Sequence, residues 1–87
     1  MKAVVTVVGK DKVGIIARVS TLFYENNINI LDISQTIMQD MFTMIMLVEL
    51  EKESLKQIND ELMKLADELG LSIHLQNQKL FDSMHRI

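Results

Sequence analysis

The chain contains no cysteine, and this absence removes several classes of function. Without thiols there is no disulfide, no thiolate nucleophile and no zinc site built on sulfur. A chain free of cysteine also fits a reducing compartment. The His and carboxylate residues lack the spacing of ligands that converge from several elements, so neither a metal ion nor another cofactor is predicted.

Basic and aromatic residues are also scarce. Nine Lys and Arg stand against twelve Asp and Glu, which gives a formal net charge of -3. This balance disfavours nucleic acid as a direct partner, because neutralising phosphates requires clustered basic residues. RNA-binding sheets also need exposed aromatic side chains on their central strands, and only Phe42 is available for that role.

Long apolar runs are missing too. The longest runs are too short to cross a bilayer, and the start MKAVVTVVG has no signal-peptide core or cleavage site. Apolar residues make up 48% of the chain and charged residues 24%, a balance typical of a folded globule. We therefore expect a soluble, cytoplasmic protein with no membrane partner, folded as a single domain over residues 1–87.

The first 27 residues predict a strand, a loop and a helix. Residues 2–8 are rich in Val and end at Gly9, which is typical of a strand buried on both faces. The polar segment 9–14 (GKDKVG) is interpreted as a loop. Apolar residues then recur at helical spacing to about Glu25, and Asn26–Asn27 would close that helix in the left-handed conformation. They are Ile15, Ile16, Val19, Leu22 and Phe23.

The next segment predicts a hairpin of two strands, 30–38 and 42–50, joined by the short connection 39–41. In the first strand, Leu31, Ile33 and Ile37 should share one face. The opposite face should carry Asp32, Ser34 and Thr36. The second strand is apolar on both faces, so it should be central and at least partly covered on both sides. Of the methionines around the hairpin, most are expected to fill the core: Met38, Met41, Met44 and Met46.

The second half predicts a helix, a strand and a helical tail. Ser54 and Gln57 have the spacing of a capping box, and Gly70 is placed as a C-cap. Between them runs one apolar stripe, formed by Leu55, Ile58, Leu62, Leu65 and Leu69. Residues 71–78 alternate as a strand with Leu71, Ile73 and Leu75 inward, and 79–87 should form a short helix presenting Leu80, Phe81, Met84 and Ile87.

This order of elements predicts an α+β, ferredoxin-like βαββαβ sandwich over residues 1–78, followed by the helical tail 79–87. Right-handed crossovers would place two helices on one face of a four-stranded antiparallel sheet, with strand order 4-1-3-2. Because the third strand is apolar on both faces, the bare sheet face, the Asn29–Gln39 edge, or both, should be buried in a homodimer. The tail helix could cover the remainder.

The sequence offers little for catalysis, and we expect no enzyme. His74 and His85 are interpreted as surface residues, and Glu49, Glu51 and Glu53 as a solvated charge run. A phosphate loop of the Walker kind would need Gly-Lys-Ser/Thr, which is absent. The segment Gly9–Ile15 stands out, because a helix start exposes unpaired N–H groups that stabilise a carboxylate. Asp11 could cap those groups or hold an ammonium; the plain structural alternative is a capped βα loop.

The segments GKDKVGI, NNINILDISQT and FTMIMLVEL together resemble the ACT domain family of small regulatory ligand-binding modules. The resemblance extends to stand-alone ACT proteins and to the amino-terminal part of glycine-cleavage regulators. It implies an amino-acid site at a dimer interface. Carried over, the loop side would be Asp11, Val13 and Gly14, and the strand side Asn29, Ile30 and Asp32. The predicted site includes the whole loop, and so also Lys10 and Ile15. Many relatives have proline where this chain has Val13, which leaves this loop more mobile.

The resulting hypothesis is a non-catalytic regulatory domain that binds an amino acid and signals to a separate protein. We expect the two sides of the site to adjoin, because the first helix should return the chain to the same end of the sheet. Asp11 or Asp32 would then hold the ammonium group. One alternative is a ligand-free homodimerising module, in which Asn29 only turns the chain and Asp32 only guards an edge. An acylphosphatase-like enzyme ranks last, because Lys10 and Lys12 come without the arginine that its first loop needs.

Overall fold

The predicted succession of elements is present in the computed structural model, which describes residues 1–84. The elements are β1 (Lys2–Lys10), α1 (Ile15–Glu25), β2 (Asn29–Met38), β3 (Met41–Glu49), a 3-10 turn (Lys52–Ser54), α2 (Leu55–Leu69), β4 (Ser72–Asn77) and α3 (Gln78–Met84). The predictions for His85 and Ile87 lie outside the described residues.

The four strands form one antiparallel sheet in the order β2-β3-β1-β4. This order confirms the predicted ferredoxin-like topology. One boundary differs, because Gly9 and Lys10 belong to β1 and pair with Phe42 and Met41 of β3. The ladder therefore continues to the hairpin, and the loop shortens to residues 11–14. Gly9 is suited to this position, since a Cβ there would lie 2.5 Å from the Leu71 Cδ2 atom.

The core lies between the sheet and the inner sides of α1 and α2. Alternate residues of β1 and β3 enter it, together with Phe23 from α1 and Leu62 from α2, both fully buried. The alternation follows from the two-residue period of strands, which sends every second side chain to the same face. Asn27 has a φ of 59°, so α1 closes in the left-handed conformation as predicted.

Strand β2 is an open edge of the sheet. A bulge interrupts its pairing with β3 between Ile30 and Asp32. Beyond the bulge, Ile33 lies opposite Met46 and Ile37 opposite Phe42, so both face the helices. The predicted division of β2 into two faces is confirmed for these residues, but every residue from Leu31 to Met38 is exposed. No other strand of residues 1–84 covers the outer edge of β2.

The opposite sheet face is partly covered by α3, which packs against β1 and β4. Val4 points to this side and is only 6% exposed. The Gln76 side-chain amide lies 3.8 Å from the Met84 sulfur, which fixes the end of α3 over the sheet. Of the hairpin methionines, Met44 and Met46 are buried as expected, whereas Met38 and Met41 are exposed, so core filling holds for only half of them.

The start of α2 differs from the prediction. Ser54 is the last residue of the 3-10 turn, has helical dihedral angles (φ −86°, ψ −9°) and makes no capping side-chain hydrogen bond. The predicted capping box is therefore wrong, because a capping residue must be extended for its hydroxyl to reach the helix N–H groups. The end of α2 is as predicted: Gly70 has a φ of 69°, and the Leu71 N–H donates to the Ala66 carbonyl at 2.8 Å.

The substitution Ser54→Ala tests this geometry. We expect the free energy of unfolding to change by less than about 0.5 kcal/mol, because the substitution removes no capping bond. Urea denaturation at fixed protein concentration provides the measurement. Gly70→Ala serves as the positive control and should cost about 1 kcal/mol or more, since alanine is strained at a positive φ. A loss of about 1 kcal/mol in Ser54→Ala would restore the capping box.

Candidate functional site

The N-terminus of α1 carries no side-chain cap. Gly14 occupies the N-cap position in the left-handed conformation (φ 89°, ψ 3°), and the first turn has no acidic residue. The first intrahelical bond runs from the Arg18 N–H to the Gly14 carbonyl, at 2.9 Å. The N–H groups of the first turn therefore lack an intrahelical acceptor, and they lie at the positive end of the helix dipole. This arrangement can accept a carboxylate.

The loop before α1 is held by the β2–β3 hairpin. The Asp11 N–H donates to the Asp40 carbonyl at 2.7 Å. The Lys10 ammonium lies 4.0 Å from the Asp40 carboxylate, but both side chains are largely exposed, so this ion pair contributes little. The backbone contact is thus the firmer restraint on the loop. It leaves the Asp11 side chain exposed beside the helix start.

The remaining loop residues differ in what they offer a ligand. Val13 is fully exposed, so it would supply apolar surface only to a molecule or protomer that covers it. Ile15 is buried in the core, which leaves only its backbone N–H for binding. Lys12 approaches the end of α2, where its ammonium would lie 3.5 Å from a Cβ built on Gly70. A cation there complements the negative end of the α2 dipole.

The strand side of the predicted site is spread over both faces of β2. Ile30 is half-buried opposite Val48 and faces the helices, whereas Asp32 lies opposite Leu47 on the other face. One Asp32 carboxylate oxygen accepts the Ile33 N–H at 2.8 Å. Asn29 is exposed opposite Glu49 and lines a cleft with Asn26 and Ser54 at this end of the molecule.

The two sides of the predicted site do not adjoin within one chain, so that prediction is wrong. Lys10 pairs with Met41 and Met41 with Met38, which places the loop beside the last residue of β2. Asn29 starts that strand, nine residues earlier, at a distance of about 30 Å for an extended chain. The error has a simple cause: α1 runs back along the sheet, so β2 begins at the end opposite to the loop.

Sequence reasoning missed the part that Asp40 and Lys12 play around the loop. Both are single polar residues in turns, and their contacts depend on the hairpin and α2 meeting β1 at the same end of the sheet. One feature of the sequence pointed to the contact with Asp40. A residue in a tight turn has a backbone carbonyl that the hairpin does not use, and this carbonyl can accept a hydrogen bond from the end of the neighbouring strand. Gln39, with a φ of 60°, is the strained residue of that turn.

The histidine and carboxylate residues do not converge on a metal centre. Within residues 1–84, no group of three or more such side chains is placed to hold a metal ion. His74 is exposed on β4, as predicted, and its Nε2 lies 3.2 Å from the Ser72 hydroxyl. Over the same described stretch, no helix is both long and apolar enough to span a membrane.

Together, the sheet order and the uncapped βα loop define a ferredoxin-like α+β domain with an open helix N-terminus. The sequence model of the ACT domain matches residues 2–76. This chain therefore belongs to the ACT domain family, whose members are typically regulatory domains that bind small molecules.

Individual relatives agree with this assignment. A UPF0237 protein from Clostridium acetobutylicum is 54% identical over 89 residues, which covers 100% of both chains. An ACT domain protein from Streptococcus pneumoniae superposes with a TM-score of 0.82 at 41% identity, with 94% of each chain covered. A candidate glycine cleavage system transcriptional repressor gives a TM-score of 0.80 at 25% identity, over 86% of this chain and 44% of the other.

Proposed function

We propose that this ACT domain is a non-catalytic regulatory domain of the cytoplasm that binds a free amino acid. The observation that supports it most is the uncapped N-terminus of α1, with glycine at the N-cap and no acid in the first turn. A carboxylate placed there gains charge-assisted hydrogen bonds from backbone N–H groups and a favourable dipole interaction. Many helices satisfy these donors with a capping side chain, whereas here they remain available.

The ammonium group of the same ligand needs an acidic partner. Asp11 is exposed one turn before the helix start, and Asp32 has one carboxylate oxygen beyond the one that accepts the Ile33 N–H. A site with backbone donors on one side and a carboxylate on the other matches the two charged ends of a zwitterion.

A homodimer through β2 would bring the two sides of the site together. If two β2 edges pair antiparallel about a twofold axis, Asn29 of one protomer lies beside Met38 of its partner. Counted from Asn29, the partner's loop 11–14 lies three strand spacings away, at about 15 Å. The loop of one copy then completes the strand start of the other. Burial of Val13 and Ile33 in this interface would exclude water and strengthen both charged contacts.

The regulatory signal would pass to a separate protein. The Clostridium acetobutylicum relative is matched over its entire length, so that relative consists of this domain alone. The domain of that relative therefore has no catalytic part in its own chain on which to act. We therefore expect ligand binding to alter a surface that a second, unidentified protein recognises.

A ligand-free homodimerising module is the second candidate, and one observation favours it. Strand β2 is exposed over nearly its whole length, and its exposed side chains include Leu31, Ile33 and Ile37. An open apolar edge is a surface for strand pairing. That surface would be sufficient for association without any contribution from loop 11–14.

Titration with each of the twenty amino acids, followed by amide NMR, distinguishes the two candidates. We expect at least one amino acid to shift resonances of residues 11–17 and 29–33 at millimolar concentration. Asp11→Ala should weaken binding by about 10-fold or more, as expected for loss of a charged hydrogen bond. Gly14→Val should also weaken it, because valine is strained at a φ of 89°.

Lys56→Ala is the control for this titration, because Lys56 is exposed on the outer side of α2. It should leave the affinity unchanged. Absence of shifts with all twenty amino acids would exclude the amino-acid site and leave the ligand-free module.

A further inference from the structure

The sheet face opposite α1 and α2 is only partly covered by its own chain. This open sheet face carries the residues of β1 and β3 that alternate with the core, together with the matching residues of β2. They are Thr6, Val8, Thr43, Ile45, Leu47, Ser34 and Thr36. Ile45 lies near the centre, between Thr6 and Ser34, and is 40% exposed. An exposed isoleucine in mid-sheet indicates a surface suited to contact.

Helix α3 makes this face uneven. It packs on β1 and β4 and leaves β3 and β2 uncovered. The exposed side chains of α3 include the apolar Leu80 and Met84 beside the charged Lys79 and Asp82. The face therefore consists of a raised helix, which contributes Leu80 and Met84, beside a hollow formed over Ile45 and Leu47. A twofold axis through such a surface places the ridge of each copy in the hollow of the other, which is the self-complementarity that an isologous contact requires.

We propose that the open sheet face docks a second copy of this chain, through a contact separate from the β2 edge. The area is sufficient: the uncovered strands β2 and β3, about 4.8 Å apart and about 30 Å long, span roughly 300 Å², and α3 over β1 and β4 brings the contact footprint to roughly 550 Å². Two copies would thus bury more than about 1,000 Å² in total, the size of a specific interface.

The charge distribution favours a copy of the same chain as the occupant. Each chain carries a net charge of -3, so two copies repel one another unless the touching surfaces are nearly uncharged. On the open sheet face, the central rows contain hydroxyl and aliphatic side chains, with His74 on the β4 edge. Charged residues lie at its ends and at the β2 margin: Lys2, Glu49, Lys10 and Asp32. Helix α3 adds Lys79 and Asp82, which have opposite charges, so its net contribution is zero.

The open sheet face and the β2 edge are different surfaces, so both contacts can form at once. A face contact between two edge-paired dimers gives a tetramer with three perpendicular twofold axes. The proposal goes beyond the amino-acid site, because loop 11–14 takes no part in the face contact.

Sedimentation velocity of the full chain at about 100 μM tests the proposal. We expect wild type to sediment at about four times the 10.0 kDa chain mass. Ile45→Lys should halve the mass, because it places two lysines in the face contact.

Met63→Lys is the matched control: Met63 is 39% exposed on α2, and this variant should assemble as wild type does. Ile33→Lys on the β2 edge should also halve the mass, and the double variant Ile33→Lys/Ile45→Lys should be monomeric.

The outcomes separate this proposal from the edge dimer. A wild-type assembly of any size that Ile45→Lys reduces and Met63→Lys does not supports the face contact. A monomeric wild type, or an assembly that Ile45→Lys leaves intact, overturns it. If wild type is a dimer and only Ile33→Lys dissociates it, the dimer forms through the β2 edge and the face contact is refuted. If only Ile45→Lys dissociates it, the dimer forms through the open sheet face. Should Ile45→Lys lose its far-UV circular dichroism signal, Thr43→Lys on the same face replaces it.

Discussion

Phe23→Ala should reduce the free energy of unfolding by about 3–5 kcal/mol. Phe23 is fully buried in the core between α1 and the sheet and is the largest fully buried side chain of the described residues. Its removal loses the transfer free energy of the ring and leaves a cavity that the surrounding β-sheet cannot fill by relaxing. Because domains of this size are stable by only about 5–15 kcal/mol, we expect the variant to be partly unfolded at 37 °C.

Urea denaturation of the variant and of Tyr24→Ala provides the measurement. Tyr24 follows Phe23 on the same helix but is 84% exposed, so its substitution should change stability by less than about 1 kcal/mol. Both residues lie at neighbouring positions of α1, so the two variants differ mainly in how deeply the substituted side chain is buried. If both variants lose the same free energy, the placement of α1 against the sheet is incorrect.

Mixing two defective variants should restore ligand binding, if each amino-acid site takes its sides from different protomers. Asp11→Ala damages the loop side, and Asp32→Ala the strand side, of both sites in a homodimer. Each should weaken binding by about 10-fold to 150-fold. After the two chains are refolded together, about half of the dimers are mixed, and each mixed dimer has one intact site. Calorimetry should then find wild-type affinity at about a quarter of the sites.

The control is a mixture of Asp11→Ala with Lys56→Ala. It distinguishes sites that are restored in mixed dimers from sites that are already intact in one of the two variants. Because Lys56 lies outside the site, this mixture should recover half of the sites rather than about a quarter. A mixture of Asp11→Ala and Asp32→Ala that binds no better than its components contradicts a site shared across the dimer.

Most of the fold was predictable because it depends on local patterns. The stripe from Leu55 to Leu69 predicted α2, and the apolar residues on both faces of β3 predicted a central strand. These patterns are consequences of helix and strand periods, which act over a few residues. The capping box was predicted wrongly because spacing alone does not fix the backbone conformation. Ser54 and Gln57 have the right spacing, but Ser54 belongs to the 3-10 turn and has a helical backbone.

The candidate site was predictable only in part. The open N-terminus of α1 could be inferred from Gly14, because glycine supplies no capping side chain. The relation of loop 11–14 to Asn29 was predicted wrongly, although the predicted sheet order already makes β1 and β2 parallel and so places the start of β2 at the end opposite to the loop. Asp40 was missed as well, because its carbonyl meets the Asp11 N–H only when β1 and β3 pair up to the hairpin.

The sequence by itself determined the succession of elements, the α+β class and most of the side chains that enter the core, because these follow from composition and short-range periodicity. The resemblance to ACT domains rests instead on particular segments, such as GKDKVGI. Only the tertiary structure decided that a bulge interrupts β2 at Leu31, that the Asp40 carbonyl holds the loop, and that α3 covers one half of the second sheet face. Those features arise from pairing between residues far apart in the chain, and local spacing carries no information about them.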